Sequence, residues 1–266
     1  MKVEIDDKIY NIESGDEDIS YGDEDKVLSN ENTDLCWGKP WYPEGYLICD
    51  LLDEKEFNEV YEGVENRINK ISKKKFKLQD YHKHVDDKKH YEIVKKTRDL
   101  FPDDFSFCLK KNLEEKMGLK LTDRDPIFGN SVHIIVRINR PESFDYNPPH
   151  KDIYEYYDDY GIISKMVNFW IPICGVNNKS MLPVAPKSHR IPENKILRSS
   201  VGGIVNGRKY RVRNIYEWNN SIKLVRPSIR NGQVLIFTPN LIHGAAVNEQ
   251  KDVTRVALEF RLYEEV

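Results

Sequence analysis

A chain of 266 residues, 39 % hydrophobic and 11 % aromatic, can bury one substantial core, and barrels and sandwiches often use this length as a single domain. With 41 basic and 44 acidic residues the net charge is −3, so no global basic field points to nucleic acid or an anionic membrane. No apolar run approaches the ~20 residues that span a bilayer. The start, Met1 to Asp6, also lacks the apolar stretch of a secretion signal, so a cytoplasmic protein without membrane or nucleic-acid partners is expected.

Residues 2–12 (KVEIDDKIYNI) read as a short hairpin turning at Asp6-Asp7. Residues 13–34, rich in Asp, Glu, Ser, Gly and Asn, read as a solvated surface segment with little to bury. Together they give an N-terminal unit over 1–44, followed by one domain over 45–266. Residues 45–50 (GYLICD) read as a strand. Phe57, Val60, Tyr61, Val64, Ile68 and Ile71 then recur at helical spacing, with Asp53 as N-cap and Glu56 three residues on. The basic run Lys73-Lys74-Lys75 is read as the solvated end of that helix. A second helical region is expected from about Tyr91 to Gly118, interrupted at Pro102, with Phe105, Cys108, Leu109 and Leu113 as its later apolar stripe. The four cysteines, Cys36, Cys49, Cys108 and Cys174, lie far apart without a C-x-x-C. They read as reduced thiols, not as a disulfide framework or zinc site.

From Ser131 the period changes to two. Strands are expected over 131–139, 166–174, 222–226, 233–238 and 253–263, separated by Gly, Pro and Asn. Helices first and strands afterwards predict an α+β protein with helices packed on a β-barrel. In 253–263 one face carries Val256, Leu258, Phe260 and Leu262, and the other Arg255, Ala257, Glu259 and Arg261. In 131–139, His133 and Arg137 share the polar face. Periodicity leaves two readings open: the polar faces meet water, or they line a barrel interior whose apolar outside lies under helices.

His150-Lys151-Asp152 favours the interior. In an extended chain, residues i and i+2 point to the same side, so one metal ion can bind both His150 and Asp152. The stiff Asn147-Pro148-Pro149 fixes the approach. His243 is the best third ligand, since it directly follows the strand 233–238 and precedes Gly244, where the backbone can fold close. Two histidines and one carboxylate form the facial triad of non-haem Fe(II), with positions left open for other ligands. Arg255, in the next strand, offers a guanidinium suited to bidentate capture of a carboxylate.

With these residues the chain resembles the phytanoyl-CoA dioxygenase-like family of Fe(II)/2-oxoglutarate oxygenases. The resemblance runs from about Gly45 to Tyr263 and rests on five stretches. They are GYLICDLLDEKEFNEV, HKD at 150–152, VNFWIPICGVNNKSMLPVAPKSHR at 167–190, NGQVLIFTPNLIHGAAVN at 231–248 and TRVALEFR at 254–261. It implies a double-stranded β-helix (jelly roll, cupin-like) with supporting N-terminal helices. It makes His150, Asp152 and His243 the catalytic iron ligands and Arg255 the anchor of 2-oxoglutarate, with His133 and Asn168 as further co-substrate contacts. Lys187-Ser188-His189 matches the family's Gly-Ser-His loop only in its last two residues, and His189 is read as structural.

The implied cofactors are Fe(II), 2-oxoglutarate and O₂. The implied reaction couples decarboxylation of 2-oxoglutarate to hydroxylation of a C–H bond, with desaturation or ring formation as variants. Because Asp152 stands at the carboxylate position, no halogenation is expected. Arg137, Tyr154 and Trp170 are candidates for substrate contact, with Tyr156 and Tyr157 beside them. Arg208, Lys209, Arg211 and Arg213 either serve an anionic substrate or are solvated. A polar cavity suits a small polar metabolite, by resemblance a sugar or nucleotide-linked sugar of glycan or secondary-metabolite biosynthesis. The competing readings are an amino-acid or peptidyl hydroxylase of the same fold, and a cupin-like metal-binding protein without turnover. The oligomeric state is left open.

Overall fold

The computed structural model describes residues 1–97, 107–131, 134–155 and 165–265. The chain opens with β1 (Lys2–Ile5), β2 (Lys8–Asn11), β3 (Ile19–Tyr21) and β4 (Tyr46–Asp50). Four helices follow: α1 (Glu54–Ser72), α2 (Tyr81–His84), α3 (Asp87–Lys96) and α4 (Phe107–Met117). The remainder is β: β5 (Leu121–Thr122), β6 (Ile135–Asn139), β7 (Met166–Cys174), β8 (Ile196–Ser199), β9 (Gly203–Val205) and β10 (Arg208–Tyr210). It ends with β11 (Ile215–Trp218), β12 (Lys223–Leu224), β13 (Gln233–Phe237) and β14 (Arg255–Glu264).

The α1 boundaries follow from local chemistry. The Asp53 side chain accepts from the Glu56 amide (2.8 Å), and the Glu56 carboxylate accepts from the Asp53 amide (3.0 Å), closing a reciprocal cap. At the other end Lys73 takes a left-handed conformation (φ 58°) and stops the helix where the basic run was expected to be solvated. The second helical region is two helices, α3 and α4. Residues 98–106 between them, Phe105 included, lie outside the described residues, as does the side chain of Cys108.

The main sheet runs β4-β13-β7-β14-β5, with β6 also paired to β14 and all pairings antiparallel. Every residue of β7 is buried, as a central strand covered on both faces must be. One cluster, on the helix side, joins Val60, Val64 and Ile68 of α1 to Phe169, Ile171, Val234, Ile236, Val256, Leu258 and Phe260. The opposite face contributes Trp170, Leu235, Phe237 and Ala257 to a second cluster with Ile196, Ile215, Trp218 and Leu224. That second cluster is the inside of a curled half-barrel closed by β8, β11 and β12. Of the two readings of the polar face, the interior one therefore holds: Arg255 is 2 % exposed and Glu259 7 %.

Two features differ from expectation. Strands β8 to β11, over 196–218, were not anticipated, since they are short and carry Gly, Asn and Arg in place of an apolar alternation. The acidic stretch 13–34 is more than a solvated segment. Its β3 pairs with β8, its Leu28 is buried, and its Asp16 accepts from Asn214 Nδ2 (2.5 Å) and the Tyr216 hydroxyl (2.6 Å). Carboxylates that accept from the closing strands tie this stretch down, a use that composition alone does not reveal. The 2–12 hairpin forms as expected, with Asp6 (φ 49°) and Asp7 (φ 65°) supplying the left-handed turn; its β1 also pairs in parallel with β12. Among the described residues no helix is long and apolar enough to cross a membrane.

Candidate metal centre

The segment carrying His150 runs antiparallel to the one carrying His243. The two residues exchange backbone hydrogen bonds, His150 N to His243 O at 2.9 Å and His243 N to His150 O at 3.1 Å. This pairing sets the imidazoles side by side, ring centres 4.3 Å apart. It is possible only because position 244 is glycine. Gly244 has φ +126°, and a Cβ there would lie 2.2 Å from the Pro148 carbonyl oxygen.

Each imidazole donates its Nδ1–H to a backbone carbonyl two residues earlier, His150 to Pro148 (2.6 Å) and His243 to Leu241 (2.9 Å). Both Nε2 lone pairs are thereby presented inward, the tautomer a metal ligand needs. Asp152 Oδ1 lies 3.5 Å from His150 Nε2, and Oδ2 lies 3.7 Å from His243 Nε2. One donor atom from each of the three falls within 4.8 Å of the others, all three residues are buried, and His243 Nε2 has no hydrogen-bond partner among the described residues. A buried orphan nitrogen facing a carboxylate is costly unless a cation joins them, so the residues present fit a divalent metal with N₂O donors.

The electrostatics agree. Burial pushes the Asp152 carboxyl up, but the Arg261 guanidinium and the two histidines outweigh it and hold the acid well below its usual range. Burial, aided by neighbouring His150, lowers His243 to about 4 against the pull of Asp152. At neutral pH the triad is thus one carboxylate and a neutral His243, ready to ligate.

The cavity beside these histidines is lined by Arg137, Trp170, Arg255 and Glu259 among others. Arg255, at the start of β14 opposite Asn139 of β6, lies over the Trp170 ring at 5.6 Å. Its Nε has no partner, and among the described residues no carboxylate forms an ion pair with it. Burial drives it down to about 9, opposed by Glu259 and reinforced by Arg137. A buried guanidinium without its own anion is what a carboxylate-bearing ligand would complete.

The other expected site residues have neighbours of their own. Asn168 of β7 donates to Asp152 Oδ2 (2.7 Å), so it orients the carboxylate. Arg137 lines the cavity but is forked onto Glu259, its Nε donating at 3.0 Å and its Nη2 bonded to the second oxygen. Tyr154 turns away from the cavity: its buried hydroxyl donates to Glu193 (2.7 Å). Trp170 is on the cavity wall. His133, Tyr156 and Tyr157 lie outside the described residues. His189 is buried edge-on against Tyr42, away from the triad. Two groups went unnoticed in the sequence. Asp145, a buried acid in the cavity wall, is held by Arg140 at 2.7 Å and carries no motif. Glu155, three residues after Asp152, accepts from Arg261 at 3.3 Å.

The model of the phytanoyl-CoA dioxygenase (PhyH) family matches residues 43–257. No curated protein sequence matches the chain. Among solved structures, EctD from S. alaskensis with 2-oxoglutarate and 5-hydroxyectoine is 12 % identical, with a TM-score of 0.50 over 95 % of this chain and 86 % of that one. The epimerase SnoN in complex with Fe3+, alpha ketoglutarate and nogalamycin RO is 12 % identical, with a TM-score of 0.48 over 84 % and 80 %. AviO1 from Streptomyces viridochromogenes Tue57 is 11 % identical, with a TM-score of 0.48 over 84 % and 91 %. The likeness to EctD identifies the curled half-barrel as a double-stranded β-helix. The chain therefore belongs to the phytanoyl-CoA dioxygenase family and is a non-haem iron, 2-oxoglutarate-dependent oxygenase.

Proposed function

We propose that His150, Asp152 and His243 hold the iron, that Arg255 binds the distal carboxylate of 2-oxoglutarate, and that the oxidised substrate is a small polar molecule. When bound, iron and 2-oxoglutarate supply the O₂-dependent chemistry that oxidises a C–H bond as 2-oxoglutarate is decarboxylated. The chain's own residues do the rest. Pro148 and Leu241 hold the histidine tautomers, Asn168 and Arg261 keep Asp152 anionic and oriented, and Arg255 over Trp170 positions the co-substrate. The observation that carries this reading is the buried His243 Nε2 beside Asp152 and His150, in one cavity with Arg255, neither His243 Nε2 nor the Arg255 Nε having a hydrogen-bond partner among the described residues.

Polarity of the cavity supports the substrate class. Arg137, Asn139, Asp145, Asn147 and Glu259 lie on its wall, an expensive surface to cover with an acyl chain and a useful one for hydroxyls or amines. A sugar or nucleotide-linked sugar is the reading we favour. Asp152 stands as an intact carboxylate, which favours oxygenation over halogenation.

The test is Arg255→Ala. Loss of a charge-assisted bidentate contact should cost about 2–4 kcal/mol, roughly a 30- to 1000-fold rise in KM for 2-oxoglutarate. Fe(II) affinity, measured separately, should change little. An unchanged KM would remove Arg255 as the anchor.

A further inference from the structure

The inward face of β14 carries Arg255, Glu259 and Arg261, and the last of these bears directly on a metal ligand. Arg261 pairs across the sheet with Asn168 of β7, so both side chains leave the sheet on one face. They meet the same carboxylate. Asn168 donates to Asp152 Oδ2 at 2.7 Å, and Arg261 Nη2 lies 3.5 Å from Asp152 Oδ1. The guanidinium is engaged at a second point, where its Nη1 donates to Glu155 Oε2 at 3.3 Å. Glu155 belongs to the turn that starts at Asp152, its amide donating to the Asp152 carbonyl at 3.1 Å. One cation therefore holds both carboxylates of that turn against β14.

Each arginine near the centre has a different neighbour. Arg137 is forked onto Glu259 and Arg255 stands over Trp170, whereas Arg261 reaches a side chain of the triad. The plain alternative is an ion pair that braces the turn and does nothing more. Bracing needs no charge, however. Asn168 already orients the carboxylate with a neutral amide. A guanidinium 14 % exposed beside a carboxylate 5 % exposed carries a desolvation cost that a second amide would avoid. A positive charge at 3.5 Å does what an amide does not, since it draws electron density from the ligand oxygens where water is excluded.

We propose that Arg261 is a positioning residue that sets the charge of the metal centre, weakening Asp152 as a donor and so favouring the Fe(II) state. This rests on the reading of Asp152 as an iron ligand. Less negative charge on a ligand disfavours Fe(III), the state in which the resting protein is out of use. Glu155 moderates the effect, because it shares the guanidinium with Asp152.

The test is the Fe(III)/Fe(II) potential of the iron-loaded protein, measured by anaerobic redox titration without 2-oxoglutarate, together with the rate of its oxidation in air. Arg261→Gln should lower the potential and speed air oxidation by about fivefold or more. Arg261→Lys, which keeps the charge, should stay near wild type. Glu155→Gln leaves the guanidinium to Asp152 and should raise the potential. It alters a partly exposed side chain, so the proposal stays open to refutation even if Arg261→Gln fails to fold. A potential unchanged in Arg261→Gln, or lowered equally in Arg261→Lys, overturns the proposal and leaves the ion pair as a brace. So does a potential that does not rise in Glu155→Gln. The Co(II) affinity of Asp152→Ala tests the ligand itself. Undiminished affinity there would remove Asp152 from the metal site, whereas weakened affinity with an unmoved potential in Arg261→Gln would refute the role of Arg261 alone.

Discussion

His189 shows what complete burial does to a single residue. It is 0 % exposed and packs against Tyr42, ring centres 4.7 Å apart; a Cβ on Gly45 would lie 2.6 Å from its Nδ1. Burial lowers it to about 4, aided by Lys151 and Arg190. In the unfolded chain the same imidazole titrates near ~6.5. Below that pH the unfolded state takes up a proton that the folded state refuses, so stability is lost as pH falls from about 6.5 to 4. The urea midpoint should decline across that window, and His189→Asn should flatten the decline even if it lowers the midpoint overall. Equal slopes in the two proteins would count against the assignment. At this scale the sequence was legible where spacing carries chemistry. His150, Asp152 and His243 are brought together, and Arg255 enters the same cavity. It was illegible where a neighbour decides the role. Nothing in the sequence says that Asn168 turns to Asp152, that Arg137 forks onto Glu259, or that Tyr154 faces Glu193.

Between elements, the H-x-D segment is held from behind. Lys151 points away from its two neighbours, is fully buried, and donates to Glu193 (2.9 Å). Glu193 also accepts from Tyr154 and lies 3.2 Å from Arg198 of β8, so one carboxylate faces a fully buried ammonium and a half-buried guanidinium. The charge count makes the variants unequal. Removing Lys151 leaves a balanced Glu193–Arg198 pair, whereas removing Glu193 strands two cations. We expect Glu193→Gln to lose about 3–5 kcal/mol of stability and Lys151→Met less than about 1. Urea unfolding of the two variants measures this, and the reverse ranking would refute the arrangement. The elements themselves were readable in proportion to their periodicity. Helix α1 and strands β4, β7, β13 and β14 carry long alternations or a cap signal. Strands β8 to β11 are three or four residues each and gain their order from β3 and from one another, a tertiary cause that no local window holds.

Over the whole molecule, almost every closure joins distant parts of the chain. β1 pairs with β12 at Glu4 and Lys223, β3 with β8 at Ile19 and Ser199, and β4 with β13 at Asp50 and Gln233. The bridge between His150 and His243 belongs to the same set. Such contacts return nothing until long loops have closed, so folding should be slow for a chain of this size. The ligand set does not exist until that bridge forms, which puts metal capture after the rate-limiting closure. A bound ion should then act as a latch on the finished molecule and not as a template for making it. Co(II) in place of Fe(II), which avoids oxidation, should slow unfolding by tenfold or more and leave the refolding rate unchanged in denaturant-jump kinetics. Refolding accelerated by the ion would mean that the two histidine segments meet before the barrel closes.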